Sequence, residues 1–156
     1  MTSDRSTDVR QVVMIGSAEA DFAALPLEVR KQAIAALSLL QNNKRVAGGK
    51  FKPLTGNDKL KGVGELRIDE DGDTYRVYEL LQSKEVLYVL DAGKKKSKKG
   101  GAIPQEDITR LEERRSVAVQ DYTRHKDYYV RNFEDRATRR KLIEDTLAAR
   151  LKPKGS

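Results

Sequence analysis

The sequence contains no cysteine, no tryptophan and only one histidine in 156 residues. Without cysteine, the chain can form neither a disulfide nor a thiolate metal site. With His125 as its one histidine, it cannot supply a histidine pair for acid–base cleavage of RNA, a nucleophilic triad or a His/Cys metal centre. Any phosphoryl chemistry would therefore depend on lysine, arginine, tyrosine and carboxylate side chains.

Long hydrophobic runs are also missing. No apolar run approaches the roughly 20 residues that span a bilayer. The first ten residues, MTSDRSTDVR, are not followed by the hydrophobic region of a signal peptide. We therefore expect a soluble, cytoplasmic protein with no membrane partner.

One acidic stretch, Asp69-x-Asp71-Gly72-Asp73, superficially matches the start of a calcium-binding loop. An EF-hand loop needs glycine at its sixth position and glutamate at its twelfth, where this chain has Thr74 and Leu80. The stretch is better interpreted as a hairpin turn, because Asp-Gly is a strong hairpin pattern. We expect neither a metal site nor a cofactor.

Basic residues outnumber acidic ones. The chain has 31 Lys and Arg against 24 Asp and Glu, for a formal charge of +7 and a pI near 9.6. Apolar residues make up 38% of the chain, which is enough for a buried core in a single domain. The charge favours an anionic partner such as RNA, DNA or a membrane surface.

The order of apolar segments predicts an α+β fold with consecutive strands. A buried strand is expected at Gln11–Ile15, followed by helices at Ala18–Leu25 and Pro26–Gln41. Three strands are then expected at Glu65–Ile68, Thr74–Leu81 and Val86–Leu90, followed by a helix that begins at Pro104. In the second helix, we predict that an apolar stripe packs in the core: Leu27, Ala33, Ile34, Ala36, Leu37 and Leu40.

The chain beyond Thr123 is intensely charged and has few apolar residues. Those residues form two helical stripes, one with Val130, Phe133 and Ala137 and the other with Ile143, Leu147 and Leu151. The pattern predicts one or two further helices that pack on one side only.

Alternation along the predicted strands gathers charged residues on one sheet face. Glu65 and Arg67 share a face of one strand, and Arg76 and Tyr78 share a face of the next. If helices cover the other face, these side chains come within reach of each other. Arginine suits phosphate because its planar fork donates two hydrogen bonds at once. The alternative is a set of cross-strand salt bridges, with Glu65 paired to Arg67 or Arg76.

A lysine run follows the last predicted strand directly: Lys94, Lys95, Lys96, Lys98 and Lys99. Gly100-Gly101 and the helix start at Pro104 close it. Flexible lysines that contact phosphates supply affinity and salt dependence without sequence preference. The run is interpreted as a nucleic-acid contact, and the alternative is a solvated charged loop.

Four motifs occur in a specific order: Lys52-Pro53-Leu54, GVGELR at Gly62–Arg67, Tyr75-Arg76-Val77, and an apolar strand that ends in the lysine run before Pro104. Together they resemble the phage-derived HigB-like toxins of the RelE/ParE toxin–antitoxin superfamily. The upstream strand and paired helices, with Leu25-Pro26 and Val29-Arg30, fit the same fold. The resemblance covers a toxin domain at 10–122. The polar residues 1–9 are expected to form a flexible N-terminus, and residues 123–156 a charged helical extension.

The resemblance implies a RelE-like fold, with an antiparallel-rich sheet packed against an N-terminal α-hairpin. The helices predicted after Thr123 would be extra C-terminal helices on this fold. It implies a metal-independent ribonuclease that cleaves mRNA, usually on the ribosome, and is silenced by a helix-turn-helix antitoxin. Cleavage of RNA by members of this superfamily resembles attack of a ribose 2′-hydroxyl on the adjacent phosphate.

The resemblance also implies roles for individual residues. Arg76 matches the arginine that stabilises the phosphoryl centre, and Lys95 matches the basic residue after the last strand. Glu65 matches a glutamate of this branch that acts as a base or orients Arg67. Asp91 replaces the histidine of many relatives, which leaves the general acid and base open and makes Asp91 a further catalytic candidate. The residues that would hold the RNA backbone are Arg67, Lys94, Lys96, Lys98 and Lys99.

Two departures favour an alternative function. Asp91 and Gly93 stand where many relatives have His and Phe, and the helical tail extends past the usual end of the family. A non-catalytic RNA- or ribosome-binding module on the same scaffold is therefore the second hypothesis. A ParE-like gyrase poison is a weaker third.

Overall fold

A computed structural model of the chain describes residues 9–81, 83–95 and 102–151. Within them lie five strands and three helices. In chain order they are β1 (Gln11–Met14), α1 (Ala18–Ala23), α2 (Leu27–Gln41), β2 (Phe51–Pro53), β3 (Val63–Glu70), β4 (Asp73–Leu80), β5 (Val86–Lys94) and α3 (Gln105–Leu151). Short 3₁₀ turns at Ala47–Gly49 and Asp58–Leu60 flank β2.

The strands form one mixed sheet in the order β1-β5-β4-β3-β2. β1 runs parallel to β5, and the other three neighbouring pairs are antiparallel. This confirms the predicted α+β class and the antiparallel-rich sheet, and it is broadly consistent with a RelE-like fold. Parallel pairing of β1 and β5 requires a long connection between them. The helices α1 and α2 and the antiparallel strands β2 to β4 supply it.

The edge strand β2 was not predicted from the sequence. Its three residues pair with β3, and Phe51 lies opposite Leu66. Pro53 ends the strand at the sheet edge, where the lack of an N–H is tolerated. A segment this short, which contains proline, lacks the alternation that reveals a strand.

The hairpin between β3 and β4 forms where Asp-Gly predicts it. Asp71 and Gly72 make a two-residue loop with φ values of 53° and 83°. Positive φ at both positions is the geometry of a type I′ turn, whose twist matches that of the flanking strands. The turn fixes the register that places Arg67 opposite Arg76.

Helices cover both sheet faces. On one face, α1 and α2 bury Phe22, Ala33 and Leu37 against a cluster that includes Leu66 and Val77. On the other face, α3 packs through Leu111, Ala118 and Tyr129 against a cluster of sheet and loop residues: Leu60, Val63, Leu80, Val86, Tyr88 and Leu90. Helix α3 therefore covers part of the face on which the charged residues were predicted to gather, and a site on that side must lie where α3 leaves the sheet.

The core stripe of α2 differs from the prediction at two positions. Leu27 is 57% exposed and Ile34 is 55% exposed, while Val29, Ala33 and Leu37 are buried. Ile34 follows Ala33 directly and is rotated about 100° from it around the helix. The small side chain of Ala33 faces the sheet, which turns Ile34 toward solvent.

Polar contacts fasten α3 to the sheet. The hydroxyls of Tyr88 and Tyr129 donate to Asp121 Oδ2 at 2.9 and 2.6 Å, and Tyr122 donates to Glu85 at 2.6 Å. Burial together with the Asp121 carboxylate raises the pKa of Tyr129 to about 12. The phenols therefore remain protonated donors. Tyr88 joins β5 to α3 and Tyr122 joins α3 to Glu85 beside β5, whereas the Tyr129 bond lies within α3 and orients Asp121.

Helix α3 is one long helix with a kink. The backbone of His125 departs from helical values at φ −116° and ψ 20°. The predicted extension thus begins inside α3, and Tyr129 and Phe133 beyond the kink are still buried. From residue 141 to 151 every side chain is exposed, so the predicted stripe of Ile143, Leu147 and Leu151 does not pack against the described body.

No helix in the described parts of the chain combines the length and the apolar character needed to cross a membrane.

Candidate functional site

A bulge in β5 sets the geometry of the candidate site. Tyr78 pairs with Asp91, but the next residue of β4, Glu79, pairs with Val89, so Leu90 is the extra residue. Simple alternation would put Asp91 on the same face as Val89, under α1 and α2. The extra residue reverses the alternation and brings Asp91 to the face that α3 covers.

Two rows of residues then cross the sheet on the α3 side. One row is Glu65, Tyr78 and Asp91, and the next is Arg67, Arg76 and Gly93. Directly opposed residues in antiparallel strands have Cβ atoms about 4.5–5.5 Å apart. The predicted site residues of three strands therefore lie in contact range at one end of the sheet.

Arg76 is held rigidly at the base of these rows. It is 5% exposed, and its Nε lies 3.3 Å from Oε2 of Glu65. Tyr78 donates to the same oxygen at 2.9 Å, and Nη1 of Arg76 donates to the Tyr78 oxygen at 3.4 Å. Burial, with Glu65 beside it, raises the pKa of Tyr78, so its hydroxyl stays a donor. Glu65 thus orients Arg76 rather than Arg67.

Two arginines of α3 bind Asp91 from the opposite side. Arg110 donates to Oδ2 through Nε at 3.2 Å and Nη2 at 2.9 Å, and Arg114 donates to Oδ1 at 3.1 Å. Arg110 also pairs with Asp107 at 2.7 Å. Arg114 reaches further, to Ser17 Oγ at 2.7 Å. Both oxygens of Asp91 are therefore occupied by guanidinium groups.

Gly16 makes room for that reach. It follows β1 with φ +59°, in the left-handed region that favours glycine. A Cβ at this position would lie 3.2 Å from Nε of Arg114. A larger residue would be strained and would crowd the arginine that connects α3 to the start of α1.

These elements enclose a cleft of about 660 Å³ at the end of β4 and β5. Its lining carries five basic and three acidic side chains: Arg76, Lys94, Lys95, Arg110 and Arg114, with Asp21, Asp91 and Asp107. Ser17, Tyr78, Ala92, Gly93 and Pro104 complete it. A Cβ added to Gly93 would have no neighbouring atom within 4 Å. The floor of the cleft beside Arg76 is therefore open to a ligand group.

The first two lysines of the basic run belong to this cleft. The Lys95 amide donates to the carbonyl of Thr74 at 2.7 Å, which anchors Lys95 to the sheet. Lys94 pairs with Asp73 at 3.2 Å, with both side chains largely exposed. The predicted RNA-binding residues Lys96, Lys98 and Lys99 lie outside the described residues.

Two predicted site residues are not in the cleft lining. Arg67 is exposed and pairs with Asp69 at 3.4 Å, although it lies directly opposite Arg76. Glu65 is buried at 6% exposure beneath Arg76 and Tyr78. The predicted alternative of a cross-strand salt bridge is present between Glu65 and Arg76, and it coexists with a position of Arg76 on the cleft.

Arg110 and Arg114 were not predicted as site residues from the sequence. They are four residues apart and therefore share a helix face. Arg114 also falls within the buried stripe, three residues after Leu111 and four before Ala118. An arginine in an apolar helical stripe is the pattern that could have revealed it, because such a charge needs a partner inside the fold.

His125 is a surface side chain. It lies at the kink of α3, is about half exposed and pairs with Asp121 at 3.2 Å. Among residues 9–81, 83–95 and 102–151, no three His, Asp or Glu side chains are grouped closely enough to hold a metal ion.

A comparison with protein families matches residues 20–116 to the family described as Phage derived protein Gp49-like (DUF891), a family of the HigB/RelE-like toxin type. A comparison with curated proteins finds no match. The matched region includes every residue that lines the cleft except Ser17, and it stops before the kink of α3. The chain therefore belongs to the Gp49-like family of phage-derived proteins, which is of the toxin–antitoxin type.

Proposed function

We propose that the protein is the toxin of a type II toxin–antitoxin system and an endoribonuclease that cleaves mRNA on the ribosome. The observation that carries the proposal is the rigid, buried Arg76 at the open floor of a basic cleft. Membership in a toxin-type family supports it. A helix-turn-helix antitoxin would silence the protein, since the family implies an antitoxin partner.

The cleft suits an RNA strand in extended form. Its 660 Å³ falls within the usual range of ligand sites. Arg76 and Lys95 would contact the phosphate to be cleaved, and Arg110 with Arg114 would contact a neighbouring phosphate. The rest of the backbone would be held by Lys94, which also lines the cleft, and by Arg67, Lys96, Lys98 and Lys99. These contacts supply affinity without reading bases.

Cleavage would form a bond between the ribose 2′-oxygen and phosphorus and break the bond from phosphorus to the 5′-oxygen. A 2′,3′-cyclic phosphate and a free 5′-hydroxyl result. Negative charge accumulates on the non-bridging oxygens, and Arg76 is already oriented by Glu65 and Tyr78 to stabilise it. Such preorganised donors are worth about 10²–10³ in rate.

Two proton transfers must accompany these bond changes. The Tyr78 oxygen would accept the proton of the 2′-hydroxyl while its own proton passes to Glu65, to which it already donates at 2.9 Å. Lys95 would give a proton to the leaving 5′-oxygen. Asp91 would act by positioning Arg110 and Arg114, because both of its oxygens bind them.

The central test is replacement of Arg76 by alanine or lysine in the chain expressed without an antitoxin. We expect growth arrest to be lost and transcript cleavage to fall about 10²–10³-fold, because the phosphoryl charge loses its fixed donor. Arg124→Ala, on the exposed part of α3, is the matched control and should leave cleavage unchanged. Cut sites on purified ribosomes, compared with free mRNA, measure ribosome dependence.

A folding defect must be separated from a chemical one, because Arg76→Ala leaves Glu65 buried without its cation. Lys95→Ala provides this separation, since its side chain is only partly buried. Lys95→Ala should fold like the wild type but cleave transcripts at least about tenfold more slowly. Undiminished cleavage by folded Arg76→Ala would overturn the assignment of Arg76.

One observation favours the second function, a non-catalytic RNA- or ribosome-binding module. Arginines occupy both oxygens of Asp91. Glu65 is buried beneath the cleft and accepts a hydrogen bond from Tyr78, so neither candidate carboxylate is presented to a substrate without a partner. This function predicts intact mRNA on bound ribosomes and binding that weakens with salt. Transcripts cut within codons would exclude it.

A further inference from the structure

The distal part of α3 presents a continuous helical face that leaves the body of the protein. Tyr129 and Phe133 on this face are buried. The same face then continues through Arg136, Arg140, Ile143 and Leu147. Spacings of three and four residues between these positions are those of a helix–helix contact seam. The sheet covers the first part of the seam and stops before the second.

Arg136 is the first residue past the covered part, and its charge is poorly accommodated. Its Nε and Nη2 atoms are inaccessible to solvent and have no hydrogen-bond partner within the described residues. Burial lowers its pKa, and Arg139 and Arg140 lower it further, against the effect of Tyr128. Glu144 borders the same groove of about 570 Å³ but makes no hydrogen bond to these two atoms.

A desolvated guanidinium without an acceptor is costly, and the cost is removed when an anion binds it. Arg136, Arg139 and Arg140 line one groove together, so an incoming acid would meet three cations. The groove thus has the charge of a site for carboxylates or phosphates.

The neighbouring residues determine which kind of anion fits. Ile143 is 58% exposed and Leu147 is 53% exposed, directly after the arginines on the same face. Leu151 is 82% exposed one turn further. A nucleic acid would leave these aliphatic side chains in water, whereas a protein helix would bury them.

A second copy of the chain fits poorly. Its seam would bring two more arginines, at positions 136 and 140, and no acid at the seam positions between Arg136 and Leu147. Like charges placed against each other in a desolvated contact are unfavourable. The partner must therefore differ in sequence from this chain.

We propose that α3 from Arg136 to Leu151 is the docking site for an amphipathic helix of a different protein, which carries acids opposite Arg136 and Arg140 and aliphatic residues opposite Ile143 and Leu147. In a toxin–antitoxin pair, the antitoxin is the chain that would supply such a helix. That identification rests on the proposed function, whereas the docking site itself does not.

The test uses the full chain and a synthetic helical peptide of about 21 residues, or three heptads. The peptide has leucine at its seam positions and glutamates placed to meet Arg136 and Arg140. We expect it to bind in fluorescence anisotropy. The double variant R136E/R140E should weaken binding at least about tenfold, because it places acids against acids. The control R124E/R131E has the same change in charge away from the groove and should bind like the wild type.

A charge-swapped peptide, with lysines in place of the glutamates, distinguishes docking from general attraction. It should bind R136E/R140E better than the wild type. Equal binding of both peptides by both proteins would overturn the proposal. Concentration-dependent dimers that R136E/R140E disrupts would also overturn it, because they would indicate a second copy of the chain as the partner. RNA binding that R136E/R140E abolishes would overturn it as well, if the glutamate peptide fails to bind. None of these readouts depends on RNA cleavage, so a failure here leaves the proposed function untouched.

Discussion

Two groups of arginines on the same helix have opposite surroundings. Arg110 and Arg114 donate to Asp91, Asp107 and Ser17. Arg136, about seven turns further along α3, has two buried nitrogens with no partner among the described residues. Helical periodicity places both groups on the same side of α3. This side faces the sheet at Arg110 and Arg114, and it extends past the sheet at Arg136. What differs is whether the sheet provides an acid.

That acid comes from the bulge in β5. Leu90 is the extra residue, and it turns Asp91 toward α3 at the level of Arg110 and Arg114. In the described part of the chain, no strand lies under α3 beyond Phe133, and no acid accepts a hydrogen bond from the buried Nε and Nη2 of Arg136. Arg110 and Arg114 therefore form a site in which the fold itself supplies the acids that hold the arginines. The group around Arg136 lies on a surface where a partner protein would have to supply the acid.

Two glutamates of the sheet show the same contrast. Glu65 accepts hydrogen bonds from Tyr78 and lies 3.3 Å from Arg76. Glu79 is 0% exposed, and neither of its oxygens has a partner in the described chain. Its row neighbours across the sheet are Gly64 and Val89, which have no polar side chains.

The largest effect on stability is expected from Asp91→Ala. It leaves Arg110 and Arg114 without their shared acid, and breaking a buried ion pair costs about 3–5 kcal/mol. Since Arg110 is 36% exposed, water compensates part of this loss, and we expect about 2 kcal/mol. Urea unfolding at pH 7 measures it. Asp145→Ala removes the exposed pair with Lys141 and should cost less than about 0.5 kcal/mol.

Arg114→Met sharpens this first prediction. If Asp91 and Arg114 act as one unit, the double variant Asp91→Ala/Arg114→Met should lose less stability than the sum of the single variants. Additive losses would contradict the view that Asp91 serves mainly to hold the arginines.

A smaller effect of opposite sign is expected from Glu79→Gln. Burial, reinforced by Glu65, raises the pKa of Glu79 well above its usual value, whereas in the unfolded chain the carboxyl ionises near pH 4.3. The folded state then binds the extra proton, so stability is lost as pH rises from about 4.3 through the folded pKa. Glutamine does not ionise, so Glu79→Gln does not lose this stability as pH rises.

The pH dependence of the difference is the measurement. Wild type and Glu79→Gln should be nearly equally stable near pH 4 and diverge as pH rises, with the variant about 1 kcal/mol or more ahead at pH 7. Asp121 and Glu85, whose pKa values are lowered by hydrogen bonds from tyrosines despite burial, titrate in both proteins and cancel. A constant difference across this range would contradict the prediction, because it would show that folding leaves the pKa of Glu79 unchanged.

Much of this arrangement could be predicted from alternation and turn chemistry. Asp71-Gly72 fixed the hairpin, and alternation placed Glu65, Arg67 and Arg76 on one face with Tyr78. The helix predicted to begin at Pro104 is present as α3, and it packs on the core through Leu111 and Ala118. These features depend on local sequence, which is why they can be read without a structure.

The rest depends on contacts between distant segments. The β5 bulge has no local sequence pattern, yet it decides which face Asp91 occupies. The exposure of Leu27 and Ile34 depends on how closely Ala33 approaches the sheet, and β2 is too short to show alternation. The pairing of Arg110 and Arg114 with Asp91 joins positions about 20 residues apart in sequence, and only the folded register brings them together.

The smallest effect is expected from Arg136→Met, and its sign separates the two arginine groups. Arg114→Met should destabilise the protein, because it leaves Asp91 with one partner fewer. Arg136→Met should instead raise stability by about 0.5–1 kcal/mol, since it removes two buried donors without acceptors and keeps the aliphatic volume. Arg139→Met, on the exposed side of the same turn, should change stability by less than about 0.5 kcal/mol. Urea unfolding of the three variants is the measurement. A loss of stability in Arg136→Met comparable to that in Arg114→Met would mean that Arg136 already has a partner within the chain, and the distal face of α3 would then be a finished structure rather than a docking site.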